Sequence, residues 1–315
     1  MNYIVLDLEW NQASDAGDDR SKMLTFEIIE IGAVKLNSRM EITDTFHELI
    51  QPQVYDEMHK ITEKLIHIHM TELEGCRKFE EVMKDFLAWC GGEFVFGTWG
   101  SLDLMVLQRN MVFFGMNPLG EGPLKFYDIQ KLFSIAYEDG KSRKSLEYAV
   151  DFLKFAKDIP FHRAISDAYY TARVLQLIKD PVALQRFSYD TFSLPKNHKS
   201  EIHVVFDNYA KYISRPFQDK EALLADREVI STRCYLCHRN LRRKIKWFTP
   251  NGKHYYSVSY CDKHGFMKGK IRIKKADGDM VYAIKTTKFV SENEALQIQM
   301  KKEKAKEMRR LHRQK

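Results

Sequence analysis

The sequence has no apolar stretch of about 18 residues or more, so no membrane-spanning helix is expected. No basic segment followed by an apolar stretch opens it either. MNYIVLDLEW goes directly into a strand pattern, so no secretory signal is expected and a cytoplasmic location is the expectation. Cysteines are few and odd in number, five in 315 residues, which argues against a disulfide framework in such a chain. Cys76 and Cys90 sit beside apolar residues and read as inert, buried thiols, whereas Cys234, Cys237 and Cys261 cluster late. There is no internal repeat. Acidic residues are scarce toward the C-terminus: residues 181–315 carry 14 Asp+Glu against 30 Lys+Arg, while residues 1–180 carry 29 against 20. The two net charges, +16 and −9, sum to the chain's +7. Such an asymmetry suggests that the second half handles a polyanion.

What is present supports a globular reading. With 44% hydrophobic and 12% aromatic residues, the chain can bury a core in one large domain and a smaller one. Over residues 1–180, strand and helix patterns alternate. MNYIVLDLEW and FEIIEIGAVKL read as strands joined by the polar loop NQASDAGDDRSK, and FHELIQP reads as a third strand. FEEVMKDFLAWC has helical spacing and closes at Gly91-Gly92. EFVFGTWG and the start of KFYDIQKLFSIAY read as strands, each feeding a helix; KSLEYAVDFLKF and DAYYTARVLQLIK read as two more helices. The pattern implies a mixed α/β sheet flanked by helices. Residues 181–230 read as a connector or extension. Residues 231–290 read as a small β-rich basic domain, and residues 291–315 as a charged tail, either a solvated helix or disordered, whose apolar positions are too sparse for a buried face.

The segment IVLDLEWN places Asp7 and Glu9 two apart in an apolar strand, so both project from one side while Leu6 and Leu8 pack on the other. Paired like charges there are hard to desolvate unless a cation lies between them. Two other acids sit in comparable places. Asp103 follows a buried strand at the start of the helix LDLMVLQRNMVFF, and Asp167 begins a helix in FHRAISDAYYTARVL, five residues after His162 in a loop. Singly, these read as a strand-end pair, a helix-start acid, an N-cap and a loop histidine.

Together and in this order, Asp7-x-Glu9, Asp103 and His162-x4-Asp167 resemble the DEDDh family of 3′-to-5′ exonucleases, whose fold is ribonuclease-H-like. The resemblance covers residues 1–178. The segment TWGSLDLMVLQRN is most similar to the Eri-type and KapD-like exoribonuclease branch. One departure is ITEKLIHIHM, which lacks a match to the Thr-Gly-Ile turn of many relatives. The resemblance implies that Asp7, Glu9, Asp103 and Asp167 hold two Mg²⁺ or Mn²⁺ ions about 4 Å apart, with Asp7 bridging. It also implies that His162 is a general base for the attacking water. Trp10, directly after the acid pair, reads equally as a stacking platform for a terminal base and as a strand-end aromatic capping the core.

A second metal motif lies in the basic half. Cys234-x2-Cys237 and Cys261-x2-His264 have the spacing of a zinc ribbon, with four protein ligands and hence one structural Zn²⁺. His238 and His254 are substitutes at less regular spacing. Between and after the two pairs, basic and aromatic residues alternate on expected hairpins around Asn251-Gly252 and ADGD. Arg242, Arg243, Lys244, Lys246, Trp247, Lys270, Arg272 and Lys274 form the expected platform for single-stranded RNA or DNA, with a solvated charged face as the alternative.

The expected activity is removal of nucleoside 5′-monophosphates from the 3′ end of single-stranded nucleic acid, RNA by resemblance. The alternatives are a DNA exonuclease of proofreading or repair type, and a non-catalytic nucleic-acid-binding adaptor. The zinc ribbon could dock a protein partner instead of the substrate strand.

Overall fold

The structure, a computed structural model, describes residues 1–13 and 19–313. Residues 14–18 of the expected polar loop and the last two residues of the expected tail lie outside the described residues. The chain forms two compact units, Met1–Ser193 and Leu194–Lys315.

The first unit is built on β1 (Asn2–Asn11), β2 (Glu27–Leu36), β3 (Ile42–Leu49), β4 (Phe94–Thr98), β5 (Leu124–Asp128) and β6 (Ser188–Asp190). Their order is β3-β2-β1-β4-β5-β6. The first three strands pair antiparallel, β4 and β5 continue parallel to β1, and β6 closes the edge antiparallel. The helices are α1 (Arg20–Met23), α2 (Lys60–Ile66), α3 (Met70–Leu73), α4 (Phe79–Cys90), α5 (Asp103–Phe113), α6 (Ile129–Tyr137), α7 (Leu146–Phe152), α8 (Ala164–Leu177) and α9 (Pro181–Leu184). This is the mixed sheet flanked by helices expected from the sequence. α4 runs over the residues its periodicity marks and stops at Gly91, whose φ of 83° suits only a residue without a side chain.

The alternation of β1 decides where the acids go. Ile4, Leu6 and Leu8 enter one core with Phe79, Val82 and Phe86 of α4 and Leu104 and Leu107 of α5. Val5 enters the other, with Ile129 and Phe133 of α6 and Ala168 and Ala172 of α8. Asp7 and Glu9 continue the period of Val5, so they emerge on the α8 side. Of the two thiols expected to be buried, Cys90 is, and its pKa is pushed up to about 12 by burial. Cys76 is only half-buried, because it follows the short helix α3 at the surface.

In the second unit, β7 (Ile202–Val205), β8 (Ala210–Ile213), β9 (Arg242–Phe248), β10 (His254–Cys261), β11 (Gly265–Lys275) and β12 (Val281–Phe289) form one sheet in the order β7-β8-β12-β11-β10-β9. The segment read as a connector is thus divided. α9 and β6 complete the first unit, while β7, β8 and α10 (Lys220–Ala225) belong to the second. Both expected hairpins are present. Asn251 Oδ1 accepts from the N–H of Lys253 and of His254 in one turn, and the other turns through Gly278 and Asp279 at positive φ. The tail takes the helical alternative as α11 (Glu292–Arg313) and departs from expectation only in its burial, because Ala295 and Ile298 pack with Ile245 and Val258. Two apolar residues one turn apart, with Ala305 buried further on, suffice for a helix that only lies along a sheet. Among the described residues no helix is long and apolar enough to cross a membrane.

Candidate active site

Three elements distant in sequence bring the acids together. The carboxylate oxygens of Asp7 and Glu9 on β1 and Asp167 on α8 lie within 4.8 Å of one another. Asp103, the first residue of α5, is not within that radius of all three, yet its charge acts on Asp7 more strongly than that of any other acid. Burial first, and then Asp103, Glu9, Asp167 and Glu30, raise the pKa of Asp7 well above the carboxylate range. Glu9 is pushed up to about 8 by burial and by Asp167, Glu30 and Asp103, against the pull of Arg163. Burial also lifts Asp103 to about 7 and Asp167 to about 6. Oδ1 of Asp167 is buried without a hydrogen-bond partner. Four crowded acids and an orphaned buried oxygen describe a site that lacks positive charge. The donor set is all carboxylate oxygen, which fits hard divalent cations.

Close packing makes the cluster possible. Gly32 of β2 lies opposite Asp7, and a Cβ built on it would stand 2.1 Å from the backbone of Ala164 and Ile165. Only glycine lets the N-terminal turn of α8 approach the sheet so closely, and that approach carries Asp167 to Asp7. The buried Glu30, cross-strand from Glu9, ties the same turn down. Its carboxylate accepts from Arg163 Nε at 3.1 and 3.2 Å and pairs with His47 at 2.6 Å. Although burial would raise Glu30, these partners hold it below its usual pKa, so it stays ionised. His162 is exposed on a left-handed turn (φ 64°), and its N–H donates to Asp167 Oδ2 at 3.3 Å.

Glu27 and Glu30, on the strand next to the acid pair, read from the sequence as structural or supporting residues, whereas Asn11 and Asn110 carry no such reading. Glu27 accepts from the N–H groups of Gln53, Val54 and Tyr55, and Asn11 bonds the backbone of Glu57 and His59. Both lock the 53–59 segment to the end of β1. Asn110 accepts from Ile28 N–H and donates to the Phe26 carbonyl, next to the register shift between Glu9 and Trp10. The signal for Glu27 and Glu30 is an acid inside a strand buried almost throughout, which demands a partner. Trp10 is half-buried, with its ring 5.4 Å from Phe26 at the edge of the core. The expected Thr-Gly-Ile turn has no sequence match, but a left-handed turn exists at His67 (φ 54°), the C-cap of α2.

In the second unit, Cys234, Cys237, Cys261 and His264 offer ligand atoms within 4.8 Å of one another. Cys237 Sγ is 3.7 Å from Cys261 Sγ, and His264 Nδ1 is 3.5 Å from both Cys234 Sγ and Cys261 Sγ. Tetrahedral zinc, with bonds of about 2.3 Å to sulfur and about 2.0 Å to nitrogen, sets ligand atoms about 3.5–3.8 Å apart. The donors therefore fit Zn²⁺ in kind and in spacing. His238 and His254 fall outside the set.

The expected nucleic-acid residues are placed less uniformly. Arg242, Arg243, Lys244 and Lys246 are exposed on the edge strand β9. Lys270, Arg272 and Lys274 share one face of β11. Trp247 departs from the expectation of a stacking platform: its ring packs against Gly269 within the buried cluster of Tyr212, Leu223 and Ile271, and its N–H donates to Ile230 O. The absent side chain at Gly269 makes the room that draws the indole inward.

Comparison with known proteins bears on the first unit. A PolC-type DNA polymerase III of Clostridium perfringens is 28% identical over 205 residues, covering 64% of this chain and 13% of that protein. Mouse ERI1 exoribonuclease 3 is 27% identical over 143 residues, covering 42% of this chain and 41% of that protein. The chain thus spans well under two thirds of the length of either relative. Among solved structures, the nuclease domain of 3′hExo, a DEDDh family member, bound to rAMP superposes with a TM-score of 0.49 at 22% identity, over 59% of this chain and 96% of that one. Cell-death related nuclease 4 gives 0.47 at 14% identity, over 76% and 87%. The exonuclease family RNase_T matches residues 4–175, which is more than half of the sequence and includes every acid of the cluster as well as His162; the chain belongs to that exonuclease family.

Proposed function

We infer that the protein shortens single-stranded nucleic acid from its 3′ end, releasing nucleoside 5′-monophosphates by metal-dependent hydrolysis. The observation that carries this reading is the convergence of Asp7, Glu9 and Asp167, with Asp103 beside them, at pKa values that stay raised despite the pull of Arg163 on Glu9. Asp7, Glu9, Asp103 and Asp167 would hold two Mg²⁺ or Mn²⁺ ions, which supply charge stabilisation at the phosphate and make water a better nucleophile. The chain's own residues do the rest. His162, exposed beside Asp167, takes the proton of the attacking water, and its left-handed turn lets the ring approach a bound strand. Glu30 and Arg163 keep that turn in place. Cys234, Cys237, Cys261 and His264 would hold one structural Zn²⁺, which would tie together the two turns that carry them.

RNA is the favoured substrate because Trp99-Gly100-Ser101-Leu102-Asp103 resembles the exoribonuclease branch, to which the ERI1 relatives belong by name. A DNA exonuclease is the second reading, favoured by the longer match to a DNA polymerase. Both are tested by incubating the protein with 5′-labelled RNA and DNA of one sequence in Mg²⁺, Mn²⁺ or EDTA, beside an Asp7→Ala preparation. Stepwise 3′ shortening, lost in EDTA and in the variant, is expected, faster on RNA. Full-length bands in every metal lane, with binding retained, would leave a non-catalytic adaptor instead.

A further inference from the structure

The sheet of the second unit has two unlike faces. One carries Met267, Gly269 and Ile271 of β11 and Val281 and Ala283 of β12, and it is buried beneath Leu223 of α10, Val229 and Trp247. On the other, strand register sets Lys268 opposite Lys288, Lys270 opposite Thr286, Arg272 opposite Ile284, and Lys274 opposite Tyr282. On its other side β11 sets His254 opposite Arg272. Lys270, Arg272 and Lys288 are exposed, and Lys268 and Lys274 half-buried. Among the described residues no carboxylate pairs with any of the five, whereas Arg215 of the same unit has both Glu201 and Asp226. Lys268 directly across from Lys288 places like charges at a position that costs stability. The crowding reaches His254, which burial and then Lys270, Arg272, Lys301 and Lys253 hold below its usual pKa. This arrangement suits a polyanion.

The aromatic rings show which kind. A platform for single strands needs open ring faces on which bases stack. Here Tyr256 lies under the ammonium groups of Lys301 (4.2 Å) and Lys268 (6.0 Å). Tyr282 is 4% exposed beneath Lys274 at 5.9 Å, and Tyr260 lies between Phe266 (5.0 Å) and Lys244 (5.5 Å). Trp247 is on the buried face. The lysines thus occupy the stacking positions, and what remains is a broad field of cations that reads phosphate and not bases. A duplex presents about one charge per 1.7 Å of axis, twice that of either strand, on a stiff surface that needs no stacking partner.

We propose that the basic face of β11 and β12 that α11 leaves uncovered, centred on the exposed Lys270, Arg272 and Lys288, binds the sugar–phosphate backbone of double-stranded nucleic acid without regard to sequence. The proposal rests on the reading of the chain as a nucleic-acid enzyme.

The test uses the full chain with Asp7→Asn, so that the probe survives. Fluorescence anisotropy compares a blunt RNA duplex with one of its own strands, chosen to be unstructured, across a range of salt. The duplex is expected to bind more tightly. Adding Lys270→Gln, Arg272→Gln and Lys288→Gln should weaken duplex binding about ten- to a hundredfold and reduce the log–log salt slope by about 3. Zinc content and circular dichroism check the fold of this variant. If it misfolds, Arg272→Gln and Lys288→Gln singly should each remove about one unit of slope. Equal affinity for strand and duplex, or an unchanged duplex affinity and slope in the variants, would overturn the proposal. Shortening of the strand by the unaltered protein is followed in parallel. Its absence sinks the nuclease reading, whereas the duplex preference stands or falls with the titration.

Discussion

The two ligand clusters are built in opposite ways. The Cys/His set comes from two tight turns, Cys234 to Cys237 and Cys261 to His264, each three residues apart, and its four donors already stand at tetrahedral spacing. The acid set is drawn from β1, α5 and α8, and packing forces it together against its own repulsion. In one, a bound metal would organise the local fold; in the other, the fold sets the acids in place and bears the electrostatic strain itself. A ligand removed from each should therefore change stability with opposite sign. Cys261→Ser should cost the second unit several kcal/mol, on the order of a large structural defect, and reduce bound zinc below one equivalent. Asp7→Asn should abolish strand shortening yet raise the melting temperature of the Mg²⁺-free protein, because it removes the cost of burying a carboxyl group whose ionisation is opposed by burial and by the neighbouring acids. Calorimetry with zinc analysis checks both; a destabilised Asp7→Asn protein would break the contrast.

A pair of glycines sharpens it. At Gly32 a Cβ would meet backbone, 2.1 Å from the Ala164 carbonyl carbon, and helix α8 has nowhere to go without taking Asp167 along. At Gly269 it would meet side chains, Ser257 Oγ and the Trp247 ring edge, both at 2.6 Å. Side chains can shift where backbone cannot. Gly32→Ala should cost about 3 kcal/mol or more, and Gly269→Ala about 1–2 kcal/mol, by urea denaturation. Only the first should slow strand shortening, because only the first displaces a member of the acid cluster.

Much of this was legible in the sequence, for reasons that differ by region. Period-two alternation in IVLDLEWN shows which side Asp7 and Glu9 take, since a strand has only two sides. α4 and the turns at Asn251-Gly252 and Gly278 follow from local patterns that nothing overrides. Asp167 was read as beginning its helix, but Arg163 is the N-cap and Asp167 lies within the first turn, held by a long-range tie to Glu30 that no local pattern shows. The strands β7 and β8 escape a local reading because each is only four residues long and the hairpin they form joins the sheet only through the pairing of β8 with β12, about seventy residues away. The inward turn of Trp247 depends on the missing side chain of Gly269 on a neighbouring strand pair, and periodicity within β9 does not reveal it. Local patterns were readable, and so was the acid set through the order of its motifs, whereas ties and pairings to a distant residue that carries no motif were not.

The cleanest discriminator is the slope of stability with pH. Glu9 has a pKa of about 8 in the folded chain, against roughly 4.3 for an unperturbed glutamate. Between those values the folded protein keeps a proton that the unfolded chain has given up. Its contribution is therefore intact below about pH 4.3 and is lost as pH rises toward 8, and Asp103 and Asp167, raised to about 7 and about 6, act in the same direction. Mg²⁺-free protein that retains its zinc should thus lose stability in the first unit between about pH 5 and pH 8, and saturating Mg²⁺ should flatten the slope by neutralising the ionised acids. The zinc cluster runs the other way, because thiolates and a neutral imidazole are needed to hold the metal and protons compete for them as pH falls. Urea unfolding at the two pH values, with and without Mg²⁺, reads the first slope, and zinc release into a chromogenic chelator reads the second. A Mg²⁺-free first unit that gained stability toward pH 8 would mean that its acids are already neutralised by the protein, and the case for cations between Asp7 and its neighbours would fail with it.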